Sequence, residues 1–287
     1  MRSRTLPPTV TALLLFLPLA GCAPILWTLR ASSDLDWSGN DRIELPLILD
    51  RAGHVGVPAK VQGVEVLALL DTGAGVPMIN PATAAAIGVD VDASVARGVS
   101  VQLGPASLRL PIAPVSEGIG NAQLILGAEL FSKAVVDIDF NERRVTLIDP
   151  KTFSHPEEEP LLVDLSYGRP IAEIAINRKT PAICALVDTG SFFGVSFSPK
   201  LVEKLSLSSV PDQTTSYRRV DGKLQETPAL APLGELRIGN WILDNVPAHS
   251  LAPNHNPPCG SVVGMAALSR FHLILDIGNG RIWLLQR

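Results

Sequence analysis

The sequence lacks the features of several protein classes. Aromatic residues make up only 5% of the chain and charged residues 18%, and no Lys/Arg run is dense enough for a nucleic-acid-binding surface. No apolar run reaches the roughly 20 residues that a membrane-spanning helix needs. The five histidines show no metal-ligand spacing, and we assign them no function; two of them, His249 and His255, are expected to face solvent from a Pro-rich loop. We therefore expect no nucleic-acid partner.

The N-terminus carries a short apolar segment behind two basic residues. Arg2 and Arg4 precede an apolar stretch, Val10 to Ala20, whose length is typical of a secretory signal peptide. The stretch ends in Leu-Ala-Gly-Cys at Cys22, which resembles the bacterial lipoprotein signal. This resemblance implies cleavage before Cys22 and acylation of its thiol, which would anchor the protein in the bacterial cell envelope, facing the periplasm. Ala23, directly after the cysteine, favours sorting to the outer membrane. The alternative to a lipoprotein signal is an ordinary signal peptide with a chance cysteine.

Cysteine is scarce, and beyond Cys22 the only two cysteines are Cys184 and Cys259. An exported protein reaches an oxidising compartment, so a disulfide between them is chemically permitted. We favour the other interpretation, in which Cys184 is a free buried residue, because an unpaired cysteine packs as a small hydrophobic side chain. No histidine stands in a pattern that would make either cysteine catalytic.

An internal duplication organises the chain. Asp71-Thr72-Gly73 and Asp188-Thr189-Gly190 both follow Ala-Leu-(Leu/Val), and residues 45–79 match residues 162–196 without a gap at an offset of 117 (188 minus 71). Alternation of apolar and polar residues predicts a hairpin of strands 55–61 and 64–70 and a second of strands 171–176 and 182–187. A proline after a polar residue then predicts a short helix in each copy, at 83–87 and 201–205.

The duplicated pattern resembles the aspartic peptidases of the pepsin and retropepsin type. The resemblance covers nearly all of residues 45–285 and implies an all-β fold of two pseudosymmetric lobes with short helices and an active site in the cleft between them. The expected organisation is a signal peptide (1–21), a tether (22–43), an N-terminal lobe (44–150), an exposed linker (151–160) and a C-terminal lobe (161–287).

The same resemblance assigns roles to residues around the two turns. Asp71 and Asp188 would share one proton and activate a water molecule for attack on a peptide carbonyl, which requires no metal or cofactor. The supporting residues are the threonines that would hydrogen-bond across to the opposite loop, the glycines whose amides would reach the carboxylates, a serine that would donate to Asp188, and two apolar-Gly pairs that would buttress the loops: Thr72, Thr189, Gly73, Gly190, Ser191, Leu126, Gly127, Val263 and Gly264.

The second half contains about 17 more residues than the first between its helix and the following strand. We assign the excess, Thr214 to Thr227, to a longer hairpin that would close over substrate as a flap, with Tyr217 and Gly222 as candidates. An ordinary surface loop is the alternative.

The sequence thus predicts a lipid-anchored aspartic endopeptidase that acts on peptide or protein substrates. A monomer is expected because both aspartates lie in one chain. Two other hypotheses stay open: an envelope lipoprotein that binds peptides or proteins without cleaving them, and a tandem of two single-lobe peptidases, each of which needs a partner chain.

Overall fold

The computed structural model describes residues 34–50, 52–90, 95–114, 122–177, 180–218, 224–253, 255 and 257–287. Cys22 and Gly222 lie outside the described residues. Among the residues described, no helix is long and apolar enough to cross a membrane.

Strands dominate the described part of the first half, with two short helices between them. Its elements are β1 (Arg42–Pro46), β2 (Ile48–Leu49), β3 (Val55–Val61), β4 (Val64–Leu70), β5 (Met78–Ile79), α1 (Pro81–Ala86), β6 (Val95–Leu103), β7 (Ala106–Pro114), β8 (Leu124–Leu126), α2 (Ala128–Phe131), β9 (Val135–Asp139) and β10 (Arg144–Ile148).

The described part of the second half repeats this order with one additional long strand, β15, and with one short strand rather than two before its hairpin. Its elements are β11 (Leu161–Leu162), β12 (Ile171–Ile176), β13 (Ile183–Val187), β14 (Val195–Phe197), α3 (Pro199–Lys204), β15 (Ser209–Arg218), β16 (Leu224–Ile238), β17 (Trp241–Ser250), β18 (Ser261–Val263), α4 (Met265–Leu268), β19 (Phe271–Asp276) and β20 (Arg281–Gln286).

Each half forms its own sheet around the strand that enters its Asp-Thr-Gly turn. The first sheet has the order β5-β8-β4-β3-β6-β7, with β2 beside β3, and the second has the order β12-β13-β18-β14-β17-β16-β15. In both sheets the strand before the turn pairs in parallel with a short strand from near the end of the same half: β4 with β8, and β13 with β18. The predicted all-β architecture of two pseudosymmetric lobes is confirmed.

A third sheet joins the two halves. Its order is β1-β10-β9-β19-β20-β11, and β9 of the first half pairs antiparallel with β19 of the second, with Ile138 opposite Leu273. Both of these side chains are fully buried. The lobes are therefore held together by backbone pairing and a continuous apolar core, a connection that the sequence did not predict.

The predicted hairpins form, but the two copies differ in register. Gly56 lies opposite Leu69 in the first copy, whereas Ile171 lies opposite Leu186 in the second. The second strands of the two hairpins, β4 and β13, correspond at the expected offset of 117 (186 minus 69). The first strands, β3 and β12, correspond at an offset of 115 (171 minus 56). The uniform offset is thus wrong for β12, which is shifted by two residues against its partner. A two-residue shift keeps every side chain on its own face of the sheet, so the core is preserved.

The predicted helices begin two residues earlier than expected, at the prolines. Asn80 ends the preceding extended segment, and its side-chain oxygen accepts a hydrogen bond of 2.8 Å from the Thr83 N–H, which caps α1. Ser198 occupies the same place before α3, but its side chain makes no capping hydrogen bond.

The described part of the predicted tether packs against the first lobe. Leu35 is buried, Asp36 pairs with Ser107 in an isolated bridge, and Trp37 packs against the core. The expected linker is also attached, because the Trp283 indole N–H donates to the Glu158 carbonyl at 2.9 Å. Burial of these apolar side chains against the lobes explains both contacts.

Cys184 and Cys259 form a disulfide, with their Cα atoms 5.5 Å apart. The interpretation of Cys184 as a free core residue is therefore wrong. The bridge links β13, which leads into Asp188, to the segment just before β18, and the parallel pairing of β13 with β18 is what brings the two cysteines together.

Candidate active site

The two Asp-Thr-Gly turns meet at the boundary between the lobes. A Cβ atom added to Gly73 would overlap the Asp188 carboxyl group, and one added to Gly190 would overlap the Asp71 carboxyl group. Each carboxyl therefore lies against the glycine of the opposite turn, where only glycine leaves room for it. The side chains of Asp71 and Asp188 hydrogen-bond to each other. The hypothesis of two independent single-lobe sites is wrong, because both aspartates belong to one site.

The two threonines connect the turns reciprocally. The Thr72 N–H donates to Thr189 Oγ1 at 3.0 Å, and the Thr189 N–H donates to Thr72 Oγ1 at 3.1 Å. Each hydroxyl in turn donates to a carbonyl at the end of the opposite strand, Thr72 to Val187 and Thr189 to Leu70, both at 2.6 Å. The structure therefore places both threonines in the cross-loop contact that the family resemblance implies.

The apolar-Gly segments lie directly behind the turns. The Asp71 N–H donates to the Leu126 carbonyl and the Asp188 N–H to the Val263 carbonyl, both at 2.9 Å. A side chain at Gly127 would overlap the Ala74 carbonyl oxygen. One at Gly264 would overlap the carbonyls of Ser191 and Phe193. These glycines permit a close approach of two backbone segments, which sets the position of each aspartate.

The two carboxyls differ in the donors around them. Asp71 Oδ1 accepts hydrogen bonds from the N–H groups of Gly73 and Ala74, at 2.8 and 2.9 Å, whereas Asp188 Oδ1 accepts one from Gly190 at 2.8 Å. Burial raises the pKa of both carboxyls, and the neighbouring charge of Asp71 raises the pKa of Asp188 further, well above its ordinary value. The pKa of Asp188 is therefore raised further than that of Asp71, and the two carboxyls titrate as a pair.

The family model described as aspartyl protease matches the chain twice, at residues 57–130 and 172–266. The two matches cover more than half of the chain. The chain belongs to the aspartyl protease family. A comparison with curated protein sequences finds no significant match.

In this member of the aspartyl protease family, each matched segment contains one complete copy of the site. The first includes Asp71 and Gly127, and the second includes Asp188 and Gly264. The match in two regions agrees with the fusion of two retropepsin-like lobes that the sequence predicts.

Ser191 does not take the position expected from the sequence. Among the hydrogen bonds of the described residues, none joins its hydroxyl to Asp188. The oxygen lies instead behind the loop, 2.8 Å from where a Cβ atom on Gly264 would stand. The additional donor is found on the other side of the dyad, where the Ala74 backbone N–H reaches Asp71. The two carboxylates are thus inequivalent, as expected, but the reason is different.

Glu129 is a buried carboxyl that the sequence reasoning missed. It follows Gly127 by two residues, its side chain is fully buried, and its Oε1 accepts a hydrogen bond of 2.7 Å from the Gly127 N–H. Its Oε2 has no hydrogen-bond partner among the described residues. Burial raises the pKa of Glu129 to about 7, and the charge of Asp71 adds to this effect. The second copy has Ala266 at the corresponding place in α4, so this group belongs to the Asp71 side only.

Two basic residues near the dyad were also missed. Continuing the β3–β4 register by two residues puts His54 opposite Asp71, and continuing the β12–β13 register puts Arg169 opposite Asp188. The turn at Gln62-Gly63 is a signal that could have located His54 by counting along the hairpin. Arg169 could not be located in this way, because its hairpin has the shifted register.

The remaining predicted positions are less informative. Tyr217 lies in β15, whose end pairs with the start of β16 as Arg218 opposite Leu224, so the longer hairpin of the second half is present.

His249 does not face solvent as expected: it is half-buried, with its ring 4.3 Å from the Phe193 ring. Packing on this aromatic side chain, rather than its Pro-rich surroundings, decides its position.

Proposed function

We propose that this member of the aspartyl protease family is an active endopeptidase whose catalytic groups are Asp71 and Asp188. The observation that supports this most directly is the pair of buried carboxyls that hydrogen-bond to each other at the boundary between the lobes, with the pKa of Asp188 raised further than that of Asp71. We assign the shared proton to Asp188 and the negative charge to Asp71. A general base and a general acid are thereby available at the same pH.

The proposed reaction uses a water molecule between the carboxyls. Asp71 takes a proton from the water as its oxygen attacks the scissile carbonyl, while protonated Asp188 hydrogen-bonds to the carbonyl oxygen and stabilises the charge that develops there. Collapse of the tetrahedral intermediate then breaks the C–N bond, and Asp71 gives the proton that it took from water to the leaving amine. This chemistry needs only the groups that the two turns supply.

The hairpin of β15 and β16 is the proposed flap. It is the element by which the second half exceeds the first, because β16 and β17 correspond to β6 and β7, and the described residues of the first half contain no counterpart of β15. A hairpin that closes over a peptide would exclude water and position the scissile bond. The flap would then come from the Asp188 side of the cleft.

We also propose that Cys22 is acylated and holds a monomeric protein in the cell envelope. The Leu-Ala-Gly-Cys sequence behind an apolar segment supports this, and several acyl chains would anchor a protein stably. Membrane fractionation of the full chain and of its Cys22→Ala variant tests it. If both proteins partition alike between the membrane and soluble fractions, the proposal that Cys22 is acylated and anchors the protein is wrong.

Activity is tested with Asp71→Asn and Asp188→Asn variants against a mixed peptide library across acid to neutral pH. Each substitution keeps the size of the side chain but removes a carboxyl that can take up or hold a proton, so cleavage should fall by about 10²- to 10⁴-fold. Asp244→Asn, at an exposed position in β17, is the control and should cleave like the unaltered protein.

The same assay separates the two hypotheses that remain. An unaltered chain that binds peptides but cleaves none would make this a binding lipoprotein. Cleavage that survives either substitution in the dyad would remove Asp71 and Asp188 as catalytic groups.

A further inference from the structure

His54 occupies a defined place beside the candidate dyad. It precedes β3 directly. The register of β3 with β4, continued by two residues past its last pair of Gly56 with Leu69, puts it opposite Asp71, at the point where β4 ends in the Asp-Thr-Gly turn. Residues opposite each other in a ladder present their side chains on the same face of the sheet. The hairpin therefore brings His54 close to Asp71, and the charge of His54 acts on the Asp71 carboxyl.

Asp50 holds the imidazole in this place. His54 Nδ1 is 2.8 Å from Asp50 Oδ2, and the other oxygen of Asp50 accepts hydrogen bonds from the N–H groups of Ala52 and His54, at 2.8 and 2.9 Å. Both side chains are mostly buried, with 18% of the His54 and 14% of the Asp50 side chain exposed. A carboxylate in this position orients the ring.

The imidazole also contacts the opposite lobe. Its ring meets the Phe192 ring edge-to-face at 5.9 Å, and Phe192 follows Gly190, the glycine that lies against the Asp71 carboxyl, by two residues. The ring is thus enclosed between its own hairpin and the Asp188 turn. The carboxyls of Asp50 and Asp71 are two charged groups on which the imidazole acts electrostatically.

The second lobe has a different cation at the matching place. The β12–β13 register puts Arg169 opposite Asp188, and its guanidinium extends across the boundary to the Gly73 carbonyl, 3.4 Å away. Arginine stays charged at every relevant pH, whereas histidine is charged only in the acid range. Each aspartate therefore has a basic neighbour, but only the neighbour of Asp71 can lose its charge.

We propose that His54, held by Asp50, is a positioning residue for Asp71, and that its positive charge stabilises the ionised carboxylate in the acid range. The assignment of Asp71 as the base rests on the proposed function. The charge of His54 lowers the pKa of Asp71, in agreement with the geometry. Loss of this charge should raise the pKa of Asp71, so that protonation inactivates the base at a higher pH than before.

The first experiment measures kcat/KM against pH for the full chain and for its His54→Gln and Asp50→Asn variants. The acid limb should move to higher pH in His54→Gln, with a loss of about threefold or more in kcat/KM at the acid end and little change near neutrality. Asp50→Asn retains an oxygen for the two backbone N–H groups but removes the negative charge beside the imidazole. The acid limb should move in the same direction in this variant, by a smaller amount.

His272→Gln is the matched control. His272 forms a similar pair with Asp137, with Nε2 2.6 Å from Oδ1, but it lies in β19 of the sheet that joins the lobes. Its substitution should leave the acid limb where it is. A shift of equal size in this control, or none in His54→Gln and Asp50→Asn, would overturn the inference.

The second experiment needs no turnover. The carboxyl carbon of Asp71 is followed by ¹³C NMR during a pH titration, and its signal is identified by its absence in Asp71→Asn. A titration that moves to higher pH in His54→Gln supports the inference even if the protein cleaves nothing, in which case only the proposed function fails. If cleavage depends on Asp71 and Asp188 but the Asp71 titration does not move in His54→Gln, the proposed function stands and the inference about His54 fails. If one of the two variants does not fold, the other decides the outcome.

Discussion

Thr72 and Thr189 hold the two Asp-Thr-Gly turns together by exchanging hydrogen bonds across the lobe boundary. The hydroxyl oxygen of each threonine accepts a hydrogen bond from the backbone N–H of the other threonine. The same hydroxyl donates a hydrogen bond to a carbonyl of the other lobe. Only 2% of Thr72 and none of Thr189 is exposed to solvent. Neither turn can therefore satisfy its buried polar groups without the opposite lobe, and the geometry of the dyad depends on the contact between the lobes.

Substitution of Thr72 by valine tests this dependence. The variant keeps the β-branched shape but leaves the Thr189 N–H and the Val187 carbonyl without partners. A buried unsatisfied group costs about 1–3 kcal/mol, so Thr72→Val should lose roughly 2–5 kcal/mol of unfolding free energy in urea denaturation. Thr72→Ser keeps the hydroxyl and is the control, with an expected loss of about 1 kcal/mol. Equal stability of the two variants would show that the hydrogen bonds do not hold the lobes together.

Glu129 should make the stability of the protein depend on pH. Its pKa is raised from 4.5 to about 7, so the folded state binds its proton more tightly than the unfolded state does. The resulting stabilisation is complete below pH 4.5, decreases as the pH rises, and is lost above about 7. The difference corresponds to roughly 3 kcal/mol of unfolding free energy.

Glu129→Gln is the variant that isolates this effect. Glutamine retains an oxygen for the Gly127 N–H but does not ionise, so its unfolding free energy should fall less between pH 4.5 and pH 8 than that of the unaltered protein. Urea denaturation at the two pH values measures both falls. Parallel curves for the two proteins would mean that Glu129 does not titrate in this range.

The disulfide between Cys184 and Cys259 should contribute substantially to stability. It spans 75 residues, and closing a loop of this length in the unfolded chain is worth about 2–5 kcal/mol. Reduction should lower the unfolding free energy of the native protein by this amount. The Cys184→Ala/Cys259→Ala double variant should have the lower value from the start and should not respond to reductant. A response of the double variant would point to a different target of the reductant.

Local sequence patterns predicted the first hairpin to the residue. The strands 55–61 and 64–70 coincide with β3 and β4, because a two-residue turn at Gln62-Gly63 sets their pairing. The second hairpin was located to within one residue, because β13 begins at Ile183 and not at 182, but its register was not predicted. Its connection is longer, and the pairing of β12 with β16 also contributes to where the strand lies.

Contacts between distant segments explain what the sequence did not predict at the site. The burial of Glu129 depends on α2 packing beneath the Asp71 turn, and the disulfide depends on β13 pairing with β18. The interaction of His54 with Phe192 depends on the lobes being joined. None of these relationships leaves a periodic or local signal in the chain.

The sequence by itself determined the duplicated Asp-Thr-Gly turns, the strands that lead into them and the two-lobed fold, because turn chemistry and apolar alternation act between residues close along the chain. Only the tertiary structure decided that the pKa of Asp188 is raised further than that of Asp71, and that the Ala74 N–H and the buried carboxyl of Glu129 lie beside Asp71. The ionisation of a carboxyl depends on burial and on the charges around it. These are supplied by segments that meet only when the lobes are folded and paired.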